Sequence, residues 1–367
     1  GKLEEAEELT LKAIKYDSNS AIAYSNLGSI LLDLGKLNEA EIATQMAIKL
    51  NPDFANAHCN LGEILQHLGK QELSEASSRK AINLNPNLAS AYLNLGITLK
   101  DQNKYNEAEI VTRKAIEIKP DLSKAHSNLG NILSDLGNLQ SAESSLRKAI
   151  QLQPEFAEAY SNLGSVLRDL GDLNQAEKLI RHAIDINPNL AIAYSNLASV
   201  LKDIGNLIEA EKILLKALEI NNKLASAYFI LTTLKGNQIN KTLLGNIFSD
   251  ELFNFQNKVG KRNLCFARSN IAHFNKDYEM SSEFLLLGNK IQNSISSFNS
   301  TDQVIDKTNK LLNYTKKNLR FSDDKFITNN FIFLVGMPRS GSTLAESIIS
   351  MNENTKDLGE VNLFEDS

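Results

Sequence analysis

Apolar and small residues recur along the first two-thirds of the chain at a fixed step of 34 positions. Leu27, Leu61, Leu95, Leu129, Leu163, Leu197 and Leu231 form one column, and Gly28, Gly62, Gly96, Gly130 and Gly164 form the next, ending in Ala198. A third column is aromatic or histidine: Tyr24, His58, Tyr92, His126, Tyr160, Tyr194 and Tyr228. A fourth is alanine at 47, 81, 115, 149, 183 and 217, and Pro52, Pro86, Pro120, Pro154 and Pro188 punctuate the pattern. The spacing predicts two antiparallel helices per unit. In the second unit they run near 56–68 and on to about Leu84, with the turn at Gly69 and a stop at Asn85-Pro86. Glycine and alanine columns allow close helix approach, while leucine and aromatic columns fill the space between units. A unit of this kind cannot bury its apolar face alone, so stability must come from stacking.

The columns divide the chain. Residues 1–20 read as the second helix of a partial unit, 21–224 as six full units, and a decayed unit begins at Ala225. The solenoid so defined covers 1–235. From 236 to about 325 the period fades into a helical connector. There Leu264, Ala267, Ala272, Tyr278 and Leu285 suggest one more helix pair ended by Gly288-Asn289, with a loop over 293–301 and a further helix over 303–319. Residues 326–367 read as the start of another domain: a strand at Phe331–Val335, a small-residue turn, and a helix near Ser342–Met351. The predicted fold class is mainly α, a solenoid followed by the first strand-loop-helix of an α/β domain.

A 34-residue unit with aromatic, Leu-Gly, Ala and Pro at these offsets resembles the tetratricopeptide repeat (TPR). In such a solenoid the first helix of each unit lines the concave side. There one column is asparagine: Asn26, Asn60, Asn94, Asn128, Asn162 and Asn196. Asparagine costs about 0.5 kcal/mol against alanine in a helix. Its amide both donates and accepts, so a ladder of six can clasp an extended polypeptide through its backbone. The repeats of O-linked N-acetylglucosamine transferases, which these resemble, carry such a ladder. The same column can instead satisfy neighbouring helices within a plain scaffold. A second column, Asp33, His67, Asp101, Asp135, Asp169 and Asp203, would favour basic or hydroxyl-bearing segments.

Composition narrows the partners. A net charge of -5 leaves no basic footprint for nucleic acid. No apolar run approaches the roughly 18 residues of a membrane-spanning helix. The two cysteines, Cys59 and Cys265, form no motif and suit a reducing, cytoplasmic compartment. No His, Cys or carboxylate group has metal-ligand spacing. His58 and His126 stand in a packing column. The chain opens at Gly1 inside a helical pattern, so we expect sequence upstream of it.

The most chemical stretch is Gly336–Thr343, GMPRSGST. It has the glycine spacing of a nucleotide phosphate loop, but Ser342 replaces the lysine and Arg339 lies inside the loop. Backbone amides at the start of a helix still form an anion cradle. The run resembles the 5′-phosphosulfate loop of sulfotransferases, and above all that of bacterial proteins fusing TPR units to a tyrosylprotein-sulfotransferase-like domain. Gly336, Met337, Pro338, Arg339, Ser340, Gly341, Thr343, Leu344, Glu346 and Ile348 match their usual run, and Gly359-Glu360 follows at the expected distance. Ser342 for Thr and Asn352-Glu353 for His-Pro are departures. The resemblance implies 3′-phosphoadenosine-5′-phosphosulfate (PAPS) as donor, without a metal. Its 5′-phosphate would be held at Pro338, Arg339, Ser340, Gly341, Ser342 and Thr343. Arg339 would neutralise the leaving phosphate and Glu360 would take the proton from an acceptor hydroxyl, such as tyrosine of a peptide in the groove. Only the first strand and helix of that domain are present, so no transfer activity is expected of this piece alone. The alternatives are a non-enzymatic solenoid with a vestigial anion loop and a phosphate-loop kinase or NTPase, which the missing lysine disfavours.

Overall fold

The computed structural model describes residues 1–235 and 239–295, and among them are eighteen helices and no strand. α1 (Lys2–Tyr16) precedes six helix pairs. These are α2 (Ala21–Asp33) with α3 (Leu37–Leu50), α4 (Ala55–His67) with α5 (Gln71–Leu84), and α6 (Ala89–Asp101) with α7 (Tyr105–Ile118). Then come α8 (Ser123–Asp135) with α9 (Leu139–Leu152), α10 (Ala157–Asp169) with α11 (Leu173–Ile186), and α12 (Ala191–Ile204) with α13 (Leu207–Ile220). α14 (Ala225–Lys235) is followed by two short helices, α15 (Lys241–Ile247) and α16 (Asp250–Phe255), and by the long pair α17 (Lys258–Phe274) and α18 (Tyr278–Ile295). Each helix packs on its partner and on the next unit, forming an α-solenoid.

The repeated residues explain the repeated geometry. Within a unit the two helices nearly touch: a Cβ built on Gly130 would lie 2.5 Å from Leu146 Cγ, and one on Gly28 2.0 Å from Thr44 Oγ1. The turn inside each unit needs a left-handed residue, and glycine supplies it at 35, 69, 137, 171 and 205. Asn103 takes that role in the third unit with φ 63°. Between units the residue before proline caps the helix, and where it is asparagine it starts an Asx turn: Asn51, Asn85 and Asn187 accept through Oδ1 from the backbone two residues on, while Lys119 and Gln153 stand at the other two prolines. The aromatic column ties the following helix to that turn. His58 and His126 reach the Pro52 and Pro120 carbonyls at 2.9 Å, and Tyr194 donates to that of Pro188 at 3.0 Å. Histidine and tyrosine thus interchange because each puts a polar tip at the same carbonyl.

After α14 the pattern changes. α15 and α16 stand where a second helix of that unit would be, and α17 packs directly on α14. Arg268 holds the joint. It is 7% exposed, donates to the Ile247 and Ser249 carbonyls at 2.8 and 3.1 Å, and lies over the rings of Phe248, Phe253 and Phe284. Its guanidinium satisfies the Ile247 carbonyl left open at the C-terminal end of α15 and adds a second donor to the Ser249 carbonyl, which already accepts from the Phe253 amide.

One sequence expectation is corrected here. Gly288-Asn289 does not end a helix: α18 runs on to Ile295, so Asn293 and Ser294 are helical and not loop. Gly288 is buried against α17, where a Cβ would lie 2.6 Å from the Phe266 ring. The glycine serves close helix crossing, not a turn. The helix expected over 303–319 and the strand-loop-helix over 326–367 lie outside the described residues.

Candidate functional site

The asparagine column lies on the first helices, and its rungs are not equivalent. Asn60 Nδ2 donates to Ser29 Oγ at 2.8 Å and Ser25 Oγ at 3.1 Å, both on α2. Asn94 Nδ2 donates to the Cys59 carbonyl at 3.1 Å, and Asn196 Nδ2 to Ser161 Oγ at 3.0 Å. Asn128 Nδ2 turns instead to Thr112 Oγ1 on α7, at 3.1 Å. These four reach back to the preceding unit and pin consecutive units together. Asn94 and Asn128 are also buried, at 7% and 6% exposure. Asn26 is exposed and Asn162 half-buried, and neither makes a side-chain hydrogen bond among the described residues. The column therefore ties neighbouring units at four rungs and leaves the amides of Asn26 and Asn162 without a side-chain partner among the described residues.

A depression of about 460 Å³ lies across α2, α4 and α6, lined by Ile22, Ser25, Asn26, Phe54, Asn56, Cys59, Asn60 and Ser90. Cys59 donates to Ser90 Oγ at 3.3 Å, and burial pushes its thiol up to about 11, so it stays protonated and inert at neutral pH. The depression offers amides, hydroxyls and two apolar side chains, a surface suited to a polar chain that places an occasional apolar group.

The acidic column is also uneven. Asp101 accepts from Gln66 Nε2 at 3.2 Å and stands 3.7 Å from Lys100 Nζ. Asp169 pairs with Arg168 at 2.7 Å, and Asp203 has Arg168 at 3.7 Å and Lys202 at 3.9 Å. Desolvation raises the carboxyl pKa of Asp135; Asp101 adds to this, while Lys100 and Arg262 oppose it. Asp33 on α2 and Glu63 on α4 have no ion pair among the described residues.

The serine and cysteine partners of the ladder escape a reading of the asparagines alone. Their signal is present: the residue before five of the six asparagines is small and mostly polar, at Ser25, Cys59, Ser127, Ser161 and Ser195, with Leu93 the exception. No group of three or more His, Cys, Asp or Glu side chains could hold a metal among the described residues. No helix there is long and apolar enough to cross a membrane. Pro338, Arg339, Ser340, Gly341, Ser342, Thr343 and Glu360, the residues expected to bind PAPS and act on it, lie outside the described residues.

Comparison with known proteins agrees with the fold. Family models described as Tetratricopeptide repeat match residues 121–189 and 155–223, 21–54, and 43–76 and 79–110. No curated protein matches the chain. Among solved structures, the APC/C hetero-tetramer Cut9-Hcn1 is similar over 64% of this chain and 46% of that one, with 17% identity and a TM-score of 0.58. This chain thus spans less than half the length of that relative. YrrB, a TPR protein with an unusual peptide-binding site, matches 51% of this chain and 97% of its own at 23% identity and a TM-score of 0.38. TTC0263, a thermophilic TPR protein of Thermus thermophilus, matches 50% and 99% at 22% identity and a TM-score of 0.46. At these identities the first likeness is one of fold.

Proposed function

Because the chain belongs to the tetratricopeptide-repeat proteins, we propose that its concave groove binds an extended segment of a partner protein, seated first on units one to three. The observation that carries this reading is the depression lined by Asn26, whose exposed amide makes no side-chain hydrogen bond among the described residues. An asparagine amide pairs with a peptide group whatever its side chain, so the ladder supplies affinity without sequence demand. Asp33 on α2 and Glu63 on α4 favour lysine, arginine or hydroxyl-bearing residues. The test is fluorescence anisotropy with a labelled set of short lysine- and serine-containing peptides against an aspartate- and glutamate-containing set. The basic set should bind more tightly, and Asn26→Ala should weaken it without lowering thermal stability. Equal binding of both sets, unmoved by Asn26→Ala, rejects the reading.

For the C-terminal stretch we propose the activity its loop resembles, sulfuryl transfer from PAPS to a hydroxyl in the whole protein. The support is sequence: Arg339 within GMPRSGST, the hydroxyls of Ser342 and Thr343, and Glu360 downstream. In that reading the loop amides would hold the 5′-phosphate, and Arg339 would neutralise charge on the leaving group. Calorimetry on the complete protein with 3′-phosphoadenosine-5′-phosphate tests this: Arg339→Ala should lose the heat of binding. No binding by either form leaves the non-enzymatic scaffold as the better account.

A further inference from the structure

The turn between α6 and α7 departs from the other five turns of its kind in sequence and in surroundings. The others carry Leu or Ile followed by glycine; this one carries Gln102 and Asn103. Tyr105 follows where four of the others have leucine. The five glycine turns are exposed, whereas Asn103 is 7% exposed. Tyr105 Oη donates to Asn103 Oδ1 at 2.9 Å, and Gln102 Oε1 is buried without a hydrogen-bond partner.

What stands opposite is the end of α18. Ser294 and Ile295 share a depression of about 390 Å³ with Gln102, Asn103, Lys104, Tyr105, Asn106 and Glu107. Ile295 is 5% exposed. The electrostatics agree: burial pushes the Tyr105 phenol up to about 12, with Asp135 and Asp101 adding and Arg262 of α17 opposing.

We propose that the α6–α7 turn is a docking seat for the C-terminal end of α18, which closes the helical ribbon upon itself. A glycine turn offers nothing to bind. Asparagine keeps the left-handed turn and adds a polar side chain, and tyrosine adds a ring against which an isoleucine can bury. The substitutions fall together in the one unit whose turn faces α18, which is what a local docking function requires and random drift does not.

Spin labels at Asn106→Cys and Lys290→Cys, in full-length chain with Cys59→Ser and Cys265→Ala, test the contact by pulsed electron resonance. A narrow, short distance that broadens and lengthens with Ile295→Asp supports it. A broad distance distribution, unchanged by Ile295→Asp, overturns it. A narrow distance that dilution with unlabelled protein abolishes also overturns it, in favour of docking between two copies. Hydrogen exchange gives a second readout in the unlabelled chain. Amides 102–107 should exchange at least tenfold more slowly than 136–141, and Tyr105→Ser should erase the difference while α2 to α5 stay unchanged. Equal exchange at the two turns in the parent chain rejects the proposal, whether or not the groove binds peptides.

Discussion

Asn94 and Asn26 occupy the same position in the repeat and do different work. Asn94 is buried and its amide is committed to the Cys59 carbonyl. Asn94→Ala should cost about 0.5–1.5 kcal/mol, the net worth of a typical hydrogen bond, read from urea denaturation. Asn26→Ala should stay within about 0.5 kcal/mol, as surface changes do. Arg268 is the costliest single side chain to remove. Arg268→Leu leaves the Ile247 carbonyl unmet and takes one of two donors from the Ser249 carbonyl, and should lose about 1.5–3 kcal/mol, with amides of 247–255 exchanging faster. Lysine should restore little of this, since one ammonium cannot copy the planar fork. Cys59 supplies a pH signature. The native state keeps a proton up to about 11 that the unfolded thiol releases earlier. Stability is therefore untouched below the usual thiol range and falls as pH rises from there toward about 11. Melts of Cys59→Ala against the parent at neutral and alkaline pH check this; the variant should lack that share of the alkaline loss.

At the scale of the helix pair, one core column separates the two halves of the solenoid. It reads Thr44, Ser78 and Thr112 in the first three units and Leu146, Ile180 and Leu214 in the next three. All six side chains are fully buried, facing the Gly28 to Gly164 column or Ala198. Thr44 Oγ1 and Ser78 Oγ have no hydrogen-bond partner, while Thr112 Oγ1 accepts from Asn128. An orphaned buried hydroxyl costs about 1–3 kcal/mol, so Thr44→Val, which keeps the shape, should raise stability by about that amount. Gly130→Ala should do the reverse, losing about 1–3 kcal/mol, because its Cβ would meet the leucine packed against it. Differential scanning calorimetry on both variants reads the two signs.

Over the whole molecule the same asymmetry reappears as core continuity. One apolar cluster runs from Leu129 to Ile271, whereas the earlier units hold several small clusters. Ion-pair rungs link units in both halves, among them Lys36 to Glu7, Lys70 to Glu41 and Lys104 to Glu75 early on and Arg181 to Glu209 later, so they do not offset the difference in apolar burial. Such exposed pairs contribute about 0–1 kcal/mol each and cannot replace apolar burial. Stability in a stacked array is a sum of local terms, so α2 to α5 should exchange amide hydrogens ahead of α10 to α13. The open groove lies in this softer half, where adjustment to a bound segment is cheapest.

The repeat step, the helix pairs and the glycine turns were legible in the sequence, because each is a local rule reapplied in register: proline stops, glycine turns, small residues permit contact. What one period cannot carry is how equivalent residues diverge. Only packing against neighbours made Asn94 a structural tie and left Asn26 open. Packing likewise made Gly288 a helix crossing where a stop had been expected, and brought the end of α18 against a turn far away in sequence. Those outcomes depend on which atoms meet across the stack, and distance along a chain does not encode that.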